Sequence, residues 1–327
     1  MMHVLVTGGA GYIGSITAEL LLKMDCQVTV LDDLSRGKRE LVPERCKLVV
    51  GDVGNKALVE RAALDADACI HFAGFIDAAE SVENPKMYLQ TNGRKTEALL
   101  EALSRTRVER FVLSSSAAVY GIPTSLPIPV DHHRNPVNPY GESKAQAEDA
   151  VVACADRFHY AVLRYFNAAG ATSSRGEEHV NESHLIPRVL DVAMGRRECI
   201  TVNGTDYPTR DGTCVRDYVH VVDLADAHVR ALAALEHRAT ITCNVGTGSG
   251  FTVNEVIDVC RSVSGHPIPL VYGERRPGDV PELVADPTEA GASFGWTPHR
   301  SQLSEIVSSA WDWHSWRFRG IQGQRDA

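Results

Sequence analysis

The run VLVTGGAGYIG at residues 4–14 constrains this chain more than any other stretch. A strand-like segment leads into Gly8, Gly11 and Gly14, and a helical pattern, SITAELLLKM, follows at once. Glycines so spaced permit a tight turn and close backbone approach, and the helix start offers unpaired N–H groups to a pyrophosphate. A bare glycine spacing is a weak signal. Here the second strand, QVTVLDD, ends in Asp32, eighteen residues after Gly14. A carboxylate there can accept hydrogen bonds from an adenosine ribose and would repel a 2′-phosphate, so the expected cofactor is NAD rather than NADP.

The pattern repeats. HVLVTG, QVTVLDD, KLVVGD, ACIHFAG, RFVLSSS and YAVLRYFN alternate with amphipathic stretches such as TEALLEALSRT and SKAQAEDAVVACA. Strand and helix in alternation predict an α/β fold, a Rossmann-like doubly wound parallel sheet joined by right-handed crossovers. After Phe166 the texture changes: TSSRGEEHVNES (172–183) reads as a loop, and the remainder mixes helices with short strands and Pro/Gly-rich turns. Two units are therefore expected, a dinucleotide-binding domain over 1–166 and a smaller mixed α/β substrate-binding lobe over 167–327. The segment near 215–235, VRDYVHVVDLADAHVRALAAL, reads as a strand and helix returning to the large unit.

A formal charge of −9 leaves no long-range attraction for nucleic acid or an anionic membrane, so an anionic ligand needs a local cationic pocket. No stretch reaches the roughly 20 apolar residues that span a bilayer, and the opening HVLVTGG follows no charged, cleavable leader. A cytoplasmic enzyme is expected. The eight cysteines form no C-x-x-C pair, which favours buried thiols over a disulfide framework.

Further site candidates sit where strands end. In GDV, Asp52 and Val53 could border adenine, and in HFAG, Phe72, Ala73 and Gly74 lie where nicotinamide or its ribose would be. RFVLSSS places Ser114 to Ser116 at the carboxyl edge of the sheet, the usual ligand side. In NPYGESKAQAE, Tyr140 and Lys144 are four apart on one helix face. An ammonium, together with a cationic nicotinamide, should lower the phenol from about 10 toward neutrality. Tyr140 is then a candidate general base that takes a proton from a substrate hydroxyl while hydride leaves the same carbon for NAD. Tyr-x-x-x-Lys alone is a common surface pair; the glycine loop and serine strand upstream give it meaning.

These motifs, with LDDLS, GDVGN, ESVENP, LRYFNAAGA, HLIP, GTDYPTRDGTCVRDYVHVVDLADAHV and RRPGDVPELVAD, resemble the extended short-chain dehydrogenase/reductase superfamily. Within it they resemble the UDP-glucose (UDP-galactose) 4-epimerases over nearly the whole chain. The run DYPTRDGTCVRDYVHV is the most specific. The resemblance implies interconversion of UDP-glucose and UDP-galactose by transient oxidation at C4, with NAD bound throughout and Tyr140 as the base. Ser116 would aid proton transfer, and Lys144 would hold the nicotinamide ribose. Tyr12, Ile13, Asp33, Asn92, Ser114 and Tyr165 would join the cofactor site. Arg216 and Arg276 would bind the diphosphate, with Asn167, His184, Leu185, Asn203, Asp279 and Leu283 completing a UDP-sugar clamp. A homodimer joined by helices near 88–106 and 142–157 is also implied.

Departures from the family pattern are specific. Ile76 stands where a lysine is common, His184 where an asparagine is, and TNGRKT (91–96) replaces Asn-Asn-Val-x-Gly-Thr. Leu283 lies where members differ between a large and a small residue, which leaves another UDP-sugar (UDP-glucuronate, UDP-xylose or an N-acetylhexosamine) as the alternative substrate. A catalytically silent NAD-binding module is the rival of another class. Ala117 and Ala118 replace the acids that related dehydratases use, so elimination is not expected. His132–His133 and the pair His179 and His184 lack evident acidic or cysteine partners at ligand spacing, and no metal site is expected. The aromatic run WDWHSW (311–316) reads as packing.

Overall fold

The computed structural model describes residues 1–179, 182–276 and 278–325. The first half of the chain builds β1 (His3–Thr7), α1 (Tyr12–Lys23), β2 (Gln27–Asp32), β3 (Lys47–Val50), α2 (Lys56–Ala62) and β4 (Ala68–His71). Short helices α3 (Ala78–Glu83) and α4 (Pro85–Tyr88) then run through a π turn at Leu89–Arg94 into α5 (Lys95–Leu103). β5 (Arg110–Ser116), α6 (Pro139–Val152) and β6 (His159–Tyr165) follow. Next come β7 (Asn167–Ala169), α7 (Leu185–Ala193), β8 (Ile200–Asn203), β9 (Val215–His220), α8 (Val221–Ala234) and β10 (Thr240–Val245). The chain finishes with β11 (Gly250–Thr252), α9 (Val253–Ser264), β12 (Leu270–Gly273), β13 (Glu282–Leu283), α10 (Thr288–Phe294) and α11 (Leu303–Arg325).

Seven strands form one sheet in the order β10-β6-β5-β4-β1-β2-β3, with every pairing parallel. Its period-2 alternation sends Val4, Val6, Val28, Val30 and Ile70 to a core shared with Ala18, Leu21 and Leu224. Leu5, Leu31, Cys69 and Phe111 go to the opposite core with Val59, Leu99 and Ala147. A sheet covered on both faces needs apolar residues at nearly every position, which explains the continuous β-branched runs. Strand order reverses between β1 and β4, so the crevice beyond their carboxyl ends is the ligand position for this topology.

A second, four-stranded sheet has β9 at its centre, paired with β7, β11 and β13, while β8 and β12 form a separate pair. Sequence reading sends the strand near 215–235 back to the large unit with its helix. The structure divides them: β9 stays in the small sheet, α8 packs against α1, and β10 takes the edge of the large sheet beside β6. Buried hydrogen bonds hold β9 in the small sheet. Arg216 and Asp217 are adjacent in β9, and fully buried Asp217 finds its hydrogen-bond donors at Thr247, Gly248 and Ala285. All eight cysteines are free, four buried and four half-buried. Among the described residues no helix is long and apolar enough to cross a membrane.

Candidate active site

The glycine loop closes on the end of β4. Gly8 has φ +70°, and a Cβ there would lie 2.5 Å from the Ala73 nitrogen. A Cβ on Gly14 would lie 2.3 Å from the Gly8 carbonyl, so these two positions exclude side chains for packing reasons. Gly11 differs: its Cβ would meet only the Gly8 oxygen, at 3.2 Å. As the N-cap of α1 it has no side chain to occupy the orphan amides of the first turn, which include those of Tyr12 and Ile13. A bare glycine at an uncapped, dipole-positive helix start is the cradle a pyrophosphate requires. The protein therefore fits a dinucleotide on its own geometry.

Asp32 is buried at the end of β2, and its two oxygens accept from Ala10 N and Leu34 N, each at 2.9 Å. Burial pushes its pKa up, and the two backbone bonds oppose that. The carboxylate is held in place with lone pairs to spare for a ribose. Asp33 is exposed and turned onto Ser35, so its side chain serves the turn. Asp52 sits half-exposed with Lys95 Nζ at 2.6 Å; that bond and the Gly54 N–H outweigh burial and hold its pKa down. Val53 is packed in the core, and Phe72 lies 4.6 Å from the His228 ring. The Tyr12 side chain also points inward, its hydroxyl donating to the Gly170 carbonyl. His71, kept neutral with a pKa of about 3 by burial and then by the Lys144 charge, links Thr7 of β1 to Thr96 of α5.

Helix α6 begins where its sequence dictates. Asn138 caps it by accepting from Gly141 N at 2.8 Å, and Pro139 occupies the first turn, where a missing N–H costs nothing. Tyr140 and Lys144 follow on the face turned to β5. The Tyr140 phenol lies close enough to Ser116 for that hydroxyl to favour its anion, and Lys144 donates to the Ser114 carbonyl at 3.0 Å. The Ser114 hydroxyl meets the Tyr165 hydroxyl. Ala117 and Ala118 form a tight turn whose backbone lies against Gly141. One sequence expectation changes: the Tyr140 pKa is raised, because burial outweighs the Ser116 hydroxyl, rather than lowered by Lys144. The ammonium is aimed at a carbonyl, and burial brings its own pKa down to about 8 against the pull of Glu148.

In the small lobe, Arg216 of β9 is in register with Leu283 of β13, which packs against the cluster of Ala117, Tyr120 and Phe166. Arg276 is exposed and 3.2 Å from Asp279. Asn167 opens β7 opposite Tyr218, and Asn203 ends β8 opposite Gly273. His184 and Leu185 form the start of α7.

The sequence model of the NAD dependent epimerase/dehydratase family matches residues 4–246, which include the glycine loop, the serine strand and the Tyr140–Lys144 helix. The chain belongs to that family. A UDP-glucose 4-epimerase of Streptomyces lividans is 45% identical over 316 residues, 95% of each chain. The crystal structure of UDP-glucose 4-epimerase from Brucella ovis in complex with NAD has a TM-score of 0.92 and 40% identity, covering 95% of this chain and 98% of that one. That of the Bifidobacterium longum enzyme in complex with NAD+ and UDP has a TM-score of 0.92 and 36% identity, covering 98% and 100%.

For a member of the epimerase/dehydratase family, several supporting contacts escape sequence reading, among them those of Asn92, itself an expected cofactor-site residue. Asn92 is buried in the π turn, accepting from Phe75 N at 2.8 Å and donating to Ser143 Oγ at 2.9 Å, so it staples the loop after β4 to α6. Beneath the serines, Glu148 accepts from Ser115 and is paired with buried Arg164 and with Arg134. Arg188 of α7 has an unpartnered, buried Nε; burial, then the charges of Arg197 and Arg276, hold its pKa down. The signal for it was the helical face of LIPR. His132 is engaged with Thr124 and the His133 carbonyl. Sequence reading finds no acidic partners for His179 and His184; the structure supplies them in Glu177 and Glu182.

Proposed function

We propose that this chain is an NAD-dependent UDP-hexose 4-epimerase acting on UDP-glucose and UDP-galactose. The observation that carries the reading is the Tyr140 phenol set beside Ser116 at the carboxyl edge of the sheet, one helical turn from Lys144 on the Ser114 carbonyl, with alanines at 117 and 118 where an elimination acid would stand. Bound NAD supplies the hydride acceptor, and positive charge that would favour the phenolate. Tyr140 Oη takes the proton of the sugar C4 hydroxyl as that carbon becomes a carbonyl, with Ser116 bonded to the same oxygen. When C4 is reduced again from its other face, the same phenol returns the proton. One base thus serves both directions.

Asp32 holds the adenosine ribose, the amides of the α1 start hold the pyrophosphate, and Lys144 holds the nicotinamide ribose. Phe72, Ala73, Gly74, Asn92, Ser114 and Tyr165 shape that end of the cofactor site. Arg216 and Arg276 hold the UDP diphosphate while the sugar turns over, with Arg188 adding charge nearby. Residues 1–166, with α8 and β10, serve as the cofactor domain, and the rest of 167–327, β9 included, as the substrate lobe. A cytoplasmic homodimer completes the reading; a monomeric mass by light scattering would remove that part. Another UDP-sugar is a second reading, favoured by Leu283 beside Arg216.

The test is turnover of a panel of UDP-sugars by purified protein and by Tyr140→Phe. Wild type should interconvert the hexose pair, and the variant should lose about 10²–10⁴-fold in kcat while keeping its NAD. Turnover of another UDP-sugar but not the hexose pair would select the second reading, and undiminished activity of Tyr140→Phe would remove the mechanism.

A further inference from the structure

Four side chains meet in the loop before α7 and at its N-cap. Glu177, His179, Glu182 and His184 each bring one donor atom to a point where all four atoms lie within 4.8 Å of one another. His184 Nδ1 is 2.7 Å from Glu177 Oε1 and 2.8 Å from Glu182 Oε1. His179 Nδ1 is 3.2 Å from Glu177 Oε1 and 3.4 Å from Glu182 Oε2. Glu177 is only 4% exposed.

Hydrogen bonding alone serves this quartet poorly. Both imidazoles turn the same nitrogen inward, and the two Nδ1 atoms can offer at most two protons to four carboxylate contacts. His184 Nδ1 must divide its proton between two acids. His179 Nδ1 is buried and makes no hydrogen bond of acceptable geometry despite the nearby oxygens. A divalent cation would resolve both problems, because it bonds lone pairs rather than sharing protons. Two carboxylates with neutral imidazoles carry the −2 charge that such an ion balances.

We propose that Glu177, His179, Glu182 and His184 form a tetrahedral binding site for a zinc-type divalent ion. Tetrahedral bonds of about 2.0–2.2 Å place donor atoms about 3.4 Å apart, a spacing bracketed by the contacts here. Two imidazoles disfavour magnesium and calcium, which take oxygen ligands. Four protein ligands leave no open position, so the ion is structural. It ties the loop before α7 to the nucleotide side, since Glu177 and Glu182 are near enough to Tyr12 for their charges to add to burial in raising its phenol.

The test uses untagged, full-length protein equilibrated with zinc chloride or cobalt chloride, freed of excess by gel filtration and measured for metal per chain. One zinc per chain is expected, and the cobalt form should show the intense visible d–d bands of tetrahedral coordination. Glu182→Gln and His179→Gln should each retain zinc at least about tenfold less tightly, since even a lost outer-shell partner costs about 10–100-fold. Should either variant fail to fold, the wild-type cobalt spectrum decides. Trace zinc only in wild type, an octahedral cobalt spectrum, or wild-type zinc retention by folded Glu182→Gln and His179→Gln would each overturn the proposal.

Discussion

Lys144 carries a charge that burial opposes. Its pKa falls from an ordinary 10.5 to about 8 in the folded protein. Between those values the unfolded chain binds the extra proton, so this residue makes stability rise with pH across that window. The penalty is full below about pH 8 and gone above about pH 10.5, and it amounts to something on the order of 3 kcal/mol. Lys144→Met removes it. Urea unfolding of wild type and variant at pH 7 and pH 10 should show the wild type gaining on the variant as pH rises; parallel behaviour would mean the ammonium is not penalised. What the penalty secures is position, since the ammonium sits on the Ser114 carbonyl beside the end of β4. The shared helix face of Tyr140 and Lys144 was legible because an i, i+4 pair behind an Asn-Pro helix start is local information. The phenol's raised pKa was not, because it depends on burial by residues remote in sequence.

The element that commits the fold is the strand, glycine turn and α1, and its two inner glycines fail differently when filled. Gly14→Ala drives a methyl to 2.3 Å from a backbone oxygen, so the turn must open, at roughly 1–3 kcal/mol or more. Gly11→Ala meets one oxygen at 3.2 Å, with φ −86° and ψ 176° that alanine adopts readily. Thermal unfolding should therefore separate them: a clear loss for Gly14→Ala and near-native stability for Gly11→Ala, whose retained NAD should nonetheless fall. Equal stability losses would show that packing, rather than access to the helix start, sets both positions. This turn could be read from sequence because its signals are contiguous. The π turn at TNGR could not, since Asn92 answers to Phe75 and Ser143, and neither could the small-sheet position of β9, whose Asp217 answers to loops far downstream.

Across the whole molecule, Asp217 joins what the topology separates. Its carboxylate accepts from Thr247 N and Oγ1 and from Gly248 N beyond β10, and from Ala285 N beyond β13. Asp217→Ala leaves those donors, Ala285 N buried and the others half-buried, without an acceptor, for a loss on the order of 3 kcal/mol. Asp217→Asn keeps part of the network and should lose less in urea unfolding; identical losses would argue that the bonds are dispensable. The large sheet has a related property. After β6 the chain departs, builds β7 to β9, and only then returns to lay β10 along the β6 edge. On the ribosome, β6 therefore stands as the edge strand until residue 245 has emerged, and a nascent chain stalled between 166 and 240 presents that buried-type strand, not yet covered by β10, to any neighbour able to pair with it.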